Sequence, residues 1–240
     1  VNVALTSENQ TSTSEKKESR FQIDATDIIA IASGKGGVGK STFAVNLAVA
    51  MSQLGKKVGI LDADIYGPSV PRMMGISGRP EASQNKKLIP LESYGIKCMS
   101  IGFLVSVDTP TIWRGPMVMK ALEQMFNGVE WGQLDYLIID LPPGTGDAQL
   151  TLAQSSKLSG SIIVSTPQDV ALNDARKGIN MFKRVDVPVI GLVENMSYFI
   201  CDNCDEKHFI FFYEGAKKEA EKLQILFLGS LPIDKELRIQ

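Results

Sequence analysis

The chain has 240 residues, of which 44% are hydrophobic and 22% charged, a composition typical of a globular protein large enough for one α/β domain. Its net charge of −2 gives no reason to expect nucleic acid or an anionic membrane as a partner, and no apolar run approaches the ~20 residues of a membrane span. The odd number of cysteines, three, argues against a secreted disulfide framework and favours a reducing, cytoplasmic compartment.

The N-terminal segment is expected to lie outside the main domain. Residues 1–6 alternate like the end of a strand, and we interpret them either as the remnant of a preceding small domain or as an unstructured tail. Residues 7–20 contain no hydrophobic side chain, so residues 7–27 are predicted to form a flexible linker. The folded domain is therefore expected to occupy residues 28–240.

A glycine-rich motif follows the first predicted strand, the apolar run 28–32. Its residues are, in order, Gly34, Lys35, Gly36, Gly37, Val38, Gly39, Lys40, Ser41 and Thr42. This pattern matches G-x-x-x-x-G-K-[ST], the phosphate-binding loop of P-loop NTPases. Apolar residues at helical spacing over 43–54 predict a helix after the loop, with Gly55 as its stop. Because strand, loop and helix come in the order that phosphate binding needs, a chance glycine-rich turn is the weaker explanation.

The motif also predicts how a nucleotide binds. Its glycines let the backbone turn sharply and point N–H groups at phosphate oxygens, and the helix N-terminus adds roughly half a positive charge. The side chain of Lys40 is expected to reach the β- and γ-phosphates, and the hydroxyl of Ser41 is expected to bind Mg²⁺.

The remainder of the chain alternates strands with helices. This alternation predicts an α/β fold, with a doubly wound and mostly parallel sheet that carries helices on both faces. The predicted strands are 58–61, 136–139, 161–164, 189–193 and 226–229, and the predicted helices are 116–126, 148–155, 170–182 and 215–223.

Acidic residues are predicted at the carboxyl ends of these strands, where doubly wound sheets bind their ligands. Asp62 and Asp64 follow the second strand, and Asp140 ends a fully apolar strand, with Asp147 close behind it. Mg²⁺ prefers oxygen ligands, so one or two carboxylates near Ser41 would be enough. A single aspartate at a strand end could instead cap the next helix, but the set beside a phosphate loop favours a metal site.

Lys35 places a second lysine inside the loop, and with it the motif resembles the deviant Walker A of the MinD/ParA group of P-loop ATPases. From residue 28 to its end, the chain resembles one branch of that group, the Mrp/ApbC (Nbp35-like) iron–sulfur cluster carriers. The resemblance rests on segments 61–71, 113–117, 140–147, 165–169 and 194–198, and on Cys201 and Cys204. Two departures stand out. Residues 210–216 replace the Ile-Phe-Gly of the family, and the chain stops at Gln240 where relatives continue, so we expect a C-terminally truncated domain.

The resemblance implies a role for each matched residue. It implies that Lys35 reaches across a nucleotide-sandwiched dimer to the partner's phosphates, and that Asp64 positions the hydrolytic water. With Lys40, these two residues form the implied catalytic set. Asp62 is implied to lie near the metal, and Asp140 to hold Mg²⁺ through water. The residues implied to flank the adenine are Asn195, Pro232 and Asp234.

The cysteine pair has several interpretations. Cys201 and Cys204 are separated by two residues. Two thiolates at this spacing can bind one metal ion or one edge of a cluster. A [4Fe–4S] cluster usually needs four thiolates, and a two-fold homodimer would bring two pairs together. A structural zinc site is the main alternative, and a redox pair or unliganded cysteines are the others. His208 is either an additional ligand or a surface residue, and Cys98 is expected to be a buried small hydrophobe.

These residues predict an ATP-binding homodimer, and the resemblance implies that it slowly hydrolyses ATP to ADP and phosphate. The resemblance implies that it holds a [4Fe–4S] cluster between its two subunits and transfers that cluster to apo-proteins. The expected cofactors are ATP, Mg²⁺ and the cluster. The expected partners are apo client proteins and cluster scaffold proteins, with neither nucleic acid nor membrane. The alternative is a MinD/ParA-like positioning ATPase with structural zinc at the cysteine pair. A metabolic ligase such as dethiobiotin synthetase shares the loop but does not account for the cysteines.

Overall fold

The computed structural model of the chain describes residue 21 and residues 23–104 and 115–236. The predicted domain remnant at 1–6, the predicted linker residues 7–20 and the family-like residues 113–114 lie outside the described part.

One sheet contains all nine strands of the described residues. The strands are β1 Ala25–Ala32, β2 Val58–Asp62, β3 Leu91–Ser93, β4 Ile96–Ser100, β5 Leu134–Asp140, β6 Gly160–Ser165, β7 Val189–Ile200, β8 Lys207–His208 and β9 Phe227–Ile233. They are ordered β3-β4-β2-β5-β1-β6-β7-β8, and β9 also pairs with β7. Only β3 with β4 and β7 with β8 run antiparallel; every other pair is parallel. The predicted doubly wound, mostly parallel fold is confirmed, as are the predicted strands.

Six α-helices connect these strands in the described part of the chain. They are α1 Lys40–Gln53, α2 Val70–Met73, α3 Gly115–Asn127, α4 Asp147–Ser155, α5 Asp169–Arg184 and α6 Gly215–Leu223, and a 3-10 turn spans Ile101–Phe103. The helices predicted at 116–126, 148–155, 170–182 and 215–223 are confirmed as α3 to α6. The short α2 and the strands β3, β4 and β8 were not predicted as elements.

The central strands form the core of the domain. Every residue of β2 and β6 is buried, as expected for parallel strands that helices cover on both faces. Continuous burial explains why these strands appear in the sequence as unbroken apolar runs. Cys98 lies in β4 with 0% exposure, so the prediction of a buried small hydrophobe there is confirmed.

The folded unit begins earlier than the sequence predicts. β1 starts at Ala25, three residues before the apolar run 28–32. The hydrophobic pattern does not reveal this start, because the two polar residues 26 and 27 interrupt it. Phe21 is 2% exposed, and its ring stacks on Phe126 with 4.4 Å between the centroids. The end of the predicted linker 7–27 therefore belongs to the domain and not to the linker.

The sheet register brings the predicted acidic residues together. Asp62 at the end of β2 is the register partner of Asp140 at the end of β5, and Asp140 is in turn the partner of Ile31 in β1. Since all three strands are parallel, their carboxyl ends lie at the same edge as the phosphate loop that follows β1.

Candidate functional site

The phosphate loop lies between the end of β1 and the start of α1. Gly37 and Gly39 have φ angles of 80° and 82°, in the left-handed region that glycine adopts without steric cost. The hydroxyl of Ser33 donates to the carbonyl of Lys35 at 2.8 Å. A cavity of about 190 Å³ adjoins the loop and is lined by Ser33, Gly36, Gly37, Gly39, Lys40, Ser41, Thr42, Asp64, Ser69, Met73 and Pro143. The loop thus presents its backbone to a cavity, as phosphate binding requires.

Two residues of the motif, Gly34 and Val38, pack against the rest of the domain. A Cβ on Gly34 would lie 2.1 Å from the carbonyl carbon of Asp174, so Gly34 is where the loop meets the backbone of α5. The side chain of Val38 is 2% exposed and belongs to the hydrophobic core. These positions support the shape of the loop and do not line the cavity.

Asn195 contacts the phosphate loop from β7. Its Nδ2 donates to the carbonyl of Val38 at 2.8 Å, and a Cβ on Gly39 would lie only 2.1 Å from the same nitrogen. Glycine at position 39 is therefore needed for Asn195 to approach. Pro232 and Asp234, which are predicted with Asn195 to flank the adenine, line a separate cavity of about 190 Å³. Their contact with adenine stays a prediction.

Gly39→Ala should destabilise the protein more than Gly37→Ala. Both changes put a Cβ on a residue with positive φ, which costs roughly 1–2 kcal/mol. Only the Cβ at Gly39 would also collide with a neighbouring side chain, since nothing lies within 4 Å of a Cβ at Gly37. Urea unfolding without nucleotide measures both free energies of unfolding. Replacing Asn195 with alanine in addition should recover most of the difference, whereas equal losses in the two single variants would show that the Asn195 contact is not formed.

Lys40 and Asp140 form a buried ion pair. The Lys40 Nζ lies 2.6 Å from Asp140 Oδ1, and the two side chains are 6% and 0% exposed. The same Nζ donates to Ser41 Oγ at 3.2 Å. Burial raises the pKa of Asp140, and the charge of Lys40 opposes that rise. Asp140 thus holds the lysine beside the hydroxyl that is predicted to bind Mg²⁺.

The two carboxylate oxygens of Asp140 differ in their surroundings. Its Oδ2 is fully buried and accepts no hydrogen bond from the residues that the structure describes. A buried, unpaired carboxylate oxygen is costly unless something else satisfies it. A cation with its shell of water, held between Asp140 and Ser41, fits this oxygen and the ligand preference of Mg²⁺.

Asp62 organises the segment that follows β2. Its buried carboxylate accepts hydrogen bonds from the backbone N–H groups of Asp64 (3.1 Å), Ser69 (3.1 Å) and Val70 (3.2 Å) and from Ser100 Oγ (3.1 Å). Burial, and after it the charge of Asp140, raises the pKa of Asp62 to about 7. Asp62 thus holds the start of α2, as in the helix-capping alternative, and its contact with a metal stays a prediction.

Asp64 and Lys35 occupy different positions around the cavity. Asp64 is half-buried and lines the cavity beside Ser41, where it can face a bound phosphate. Lys35 is half-buried too, but it is not among the described residues that line the cavity of its own chain. This position agrees with the implied action of Lys35 on a second subunit, which stays a prediction.

The cysteine pair follows β7 directly. Cys201 is half-buried and Cys204 is exposed, and neither forms a disulfide. The Cys201 N–H donates to the Glu206 carbonyl at 3.0 Å, and the Asp205 N–H donates to the Cys201 carbonyl at 2.9 Å. The sulfurs of the two cysteines and a ring nitrogen of His208 lie within 4.8 Å of one another. The structure therefore adds His208 to the predicted pair.

Hydrogen bonds to sulfur favour the thiolate of Cys201. The backbone N–H groups of Asn203 and Cys204 donate to it and lower the pKa of the Cys201 thiol. Since the thiolate is the form that binds metal, this shift favours metal binding by Cys201.

A single strand connects the two sites. Asn195, which contacts the phosphate loop, lies in β7 six residues before Cys201, the residue that directly follows the strand, and six residues span at most about 20 Å at the rise of a strand. Between them Met196 has a φ of 56°, and the register with β9 shifts. The buried Glu194 accepts hydrogen bonds from Ser197 Oγ and from the N–H of Ala216 at 2.7 Å, which ties β7 to α6. Glu194 is not among the site residues that the sequence predicts, although it is fully buried.

An apolar surface surrounds the cysteine loop. Ile200 is 40% exposed, and the segment 209–213 consists of exposed aromatic and aliphatic side chains. The Phe209 ring contacts the rings of Tyr198 and Tyr213 edge to face. Contiguous exposed apolar residues mark interaction surfaces in soluble domains. Within the described ranges no helix is long and apolar enough to cross a bilayer.

Comparisons with known proteins agree with this geometry. Residues 24–240 match the family described as ParA, NUBPL iron-transfer P-loop NTPase. The iron–sulfur protein required for NADH dehydrogenase, mitochondrial, of Arabidopsis thaliana is 59% identical over 213 residues, which is 88% of this chain and 68% of the relative. The mouse iron–sulfur cluster transfer protein NUBPL is 55% identical over 88% of this chain and 67% of its own length. The iron–sulfur cluster carrier protein of Escherichia coli K12 is 54% identical, and the chain spans 58% of it.

Solved structures support the same assignment. The nucleotide-binding protein of Archaeoglobus fulgidus, described in complex with ADP and with Co found in it, superposes with a TM-score of 0.80 at 43% identity. That match covers 90% of this chain and 85% of the other. The cell-division ATPase MinD of Pyrococcus furiosus superposes with a TM-score of 0.62 at 21% identity, over 89% and 86% of the two chains, which shows a shared fold. The chain is a P-loop NTPase that belongs to the NUBPL iron-transfer family, and the predicted resemblance to iron–sulfur carriers of the MinD/ParA group is confirmed.

Proposed function

We propose that this protein is an ATP-dependent iron–sulfur cluster carrier. It forms a homodimer, holds one [4Fe–4S] cluster between its subunits and transfers it to apo client proteins after receiving it from scaffold proteins. The observation that carries the proposal is that β7 contacts the phosphate loop through Asn195 and leads directly into the loop that holds the cysteine pair. The names of the relatives, which are iron–sulfur transfer and carrier proteins, support it.

The cluster would bind at the dimer interface. One chain supplies Cys201 and Cys204, and a [4Fe–4S] cluster takes four thiolates, so two subunits related by a two-fold axis provide the set. The apolar surface formed by Ile200 and 209–213 lies next to the cysteines and would be covered in that dimer. Burial of this surface would also shield the cluster from water.

The nucleotide chemistry would be a slow hydrolysis of ATP. Lys40 would leave Asp140 for the β- and γ-phosphates and stabilise the charge that develops there. Ser41, with Asp140 through water, would hold Mg²⁺, which supplies charge neutralisation between the phosphates. Asp64 would orient the attacking water from its position in the cavity. Lys35 would reach the phosphates of the partner subunit.

β7 would couple nucleotide state to cluster binding. A phosphate in the loop changes the surroundings of Val38, whose carbonyl accepts from Asn195. A displacement of Asn195 would be transmitted along β7 to Cys201, because the hydrogen bond of Glu194 to α6 keeps the strand from bending there. ATP would then favour one of two dimer geometries, a shift between populated states that differ in cluster affinity.

The positioning-ATPase alternative has less support. The MinD structures are 19–21% identical to this chain and share its fold alone, whereas relatives at 54–59% identity are named for iron–sulfur transfer. The cytoplasmic location stays a prediction, since the plant relative is named as mitochondrial.

Cluster transfer tests the proposal. Reconstituted protein is mixed without oxygen with an apo-enzyme that needs a [4Fe–4S] cluster, in the presence of a chelator for free iron, and the regained activity of that enzyme is measured. We expect each carrier dimer to donate about one cluster and so to activate about one equivalent of the apo-enzyme. If the apo-enzyme stays inactive with the reconstituted protein but is activated by free iron and sulfide without the chelator, the carrier proposal fails.

Lys35→Ala should leave nucleotide binding by the single subunit largely intact while ATP-dependent dimerisation and hydrolysis fall. Because Lys35 acts on the partner's site, mixing this variant with Asp64→Ala should rebuild one working site per heterodimer. At equal concentrations, high enough to keep both variants dimeric, random pairing makes about half of the dimers heterodimers, so phosphate release should recover to about a quarter of the wild-type rate. Two different affinity tags establish that heterodimers form. Heterodimers with no more activity than either variant alone would rule out the action in trans.

A further inference from the structure

We propose that His208 completes a mononuclear metal site within one subunit. In this site Cys201, Cys204 and His208 bind a single thiophilic divalent ion, such as Zn²⁺, Co²⁺ or Fe²⁺, and a fourth position stays open to solvent. The site rests on the cysteine pair and not on the proposed carrier function. The shared cluster uses only the thiolates of each chain and gives His208 no role.

The hairpin register explains why His208 faces the cysteines. In the antiparallel pair of β7 and β8, Phe199 is the register partner of His208. Directly opposite residues share one face, and residues two apart along a strand point to the same side. Cys201 follows Phe199 by two positions, so it is the diagonal neighbour of His208 on that face. The backbone bonds between Cys201 and residues 205–206 hold this register.

The distances suit one ion. A tetrahedral zinc with Zn–S of about 2.3 Å and Zn–N of about 2.0–2.1 Å holds its ligand atoms roughly 3.5–3.8 Å apart. The three atoms here already lie within 4.8 Å of one another, so about 1 Å of closure completes the site. Such a closure is within reach of side-chain rotation, since Cys204 and His208 are both exposed.

The charged residues around the cysteine loop favour a cation, and the three ligands leave its fourth coordination position open. Lys207, the neighbour of His208, holds its ammonium 4.6 Å from the Tyr198 ring centre, and Lys235 pairs with Asp202. Asp205 and Glu206 add negative charge on the same loop. Structural zinc sites close with four protein ligands, whereas three ligands leave a position for water or an incoming group. The ion is therefore exchangeable, and it competes with the cluster for the same thiolates.

The test uses the only histidine of the chain. The full-length reduced protein is titrated with Co²⁺ alone and then Zn²⁺ alone, without oxygen and nucleotide, and its mass is followed by ultracentrifugation. We expect one ion per chain, the absorption bands of tetrahedral Co²⁺ with thiolate charge transfer, and a shift of the single imidazole NMR signal. His208→Ala should weaken binding by about 10–100-fold, since even the loss of a residue that only hydrogen-bonds a metal ligand costs that much. Lys207→Ala, the adjacent control in β8, should bind as the wild type does.

The outcomes separate this inference from the carrier proposal. Unchanged Co²⁺ affinity and spectrum in His208→Ala, or one ion shared between two chains, would overturn the mononuclear site. Reconstitution of iron and sulfide on the same variants is measured independently, and we expect His208→Ala to assemble a cluster as the wild type does. If His208-dependent binding of Zn²⁺ is observed while no cluster assembles, the inference holds and the carrier proposal fails.

Discussion

Lys40→Ala should lower ATP hydrolysis by about 10²–10³-fold or more, because a single preorganised donor to the transition-state charge is worth that much in a closed site. Phosphate release under identical Mg²⁺ measures the effect. The matched control is Lys56→Ala, which removes an exposed lysine just beyond the opposite end of α1 and should turn over as the wild type does. Wild-type turnover by Lys40→Ala would contradict the assignment of the phosphate loop.

The same variant should lose stability in a pH-dependent way. Lys40 is the buried partner of Asp140, and removing one member of a buried pair typically costs about 3–5 kcal/mol. Burial already raises the pKa of Asp140 from its ordinary 3.8, and without Lys40 it rises further. The folded variant then binds a proton that the unfolded chain has released, so stability is lost as pH rises above 3.8 through the raised value. Urea unfolding at pH 5 and pH 8 should show the larger loss at pH 8.

Cys201→Ala and Cys204→Ala should each remove the bound cluster while nucleotide binding persists. Each substitution takes one thiolate from each subunit, which leaves two of the four that a [4Fe–4S] cluster takes. The loop lies beyond the far end of β7 from the phosphate loop contact at Asn195, so nucleotide affinity should stay within a few-fold of wild type. Iron, acid-labile sulfide and nucleotide affinity are measured on the same preparations.

Cys98→Ala provides the control for the loss of a cysteine. Its thiol is buried in β4, where burial raises its pKa to about 12 and keeps it protonated. We expect this variant to keep its iron and to lose about 1 kcal/mol of stability from the small cavity. Iron that survives both Cys201→Ala and Cys204→Ala would place the cluster on other ligands.

The sequence predicts the phosphate site well because its information is local. The loop, the strand before it and the helix after it are contiguous, and their residue types follow from the φ angles and N–H groups that phosphate binding needs. The meeting of Lys40 with Asp140, 100 residues later, follows from the rule that parallel strands share their carboxyl ends. What the sequence does not reveal is that this pair is buried, which changes the expected cost of losing Lys40.

The cysteine site depends on pairing that periodicity does not reveal. The apolar pattern predicts that β7 ends at residue 193, because the next residues are polar, yet β7 continues to Ile200. Glu194 and Ser197 stay buried in it by bonding to each other. Only the antiparallel return of the two-residue β8 places His208 beside Cys201. Short edge strands such as β3 and β8 contain too few residues for an alternating pattern to be distinguished.

Asp62 shows the limit of assigning roles from position. Its place at the end of β2 agrees with both a metal contact and a helix cap, and the hydrogen bonds to Ser69 and Val70 show that the cap is formed. A carboxylate that binds a metal needs an oxygen that the protein leaves free. Among the described residues, Asp140 has one oxygen without a hydrogen bond, whereas both oxygens of Asp62 accept one. This difference makes Asp140 the stronger candidate to hold Mg²⁺ through water.

Metal analysis of anaerobically reconstituted wild-type protein tests the central claim most directly. The account predicts a brown dimer that contains about four iron and four acid-labile sulfide atoms, with iron and sulfide displacing any zinc bound by the single subunit. Stoichiometric zinc that resists iron and sulfide, with no acid-labile sulfide in the protein, would contradict the carrier function.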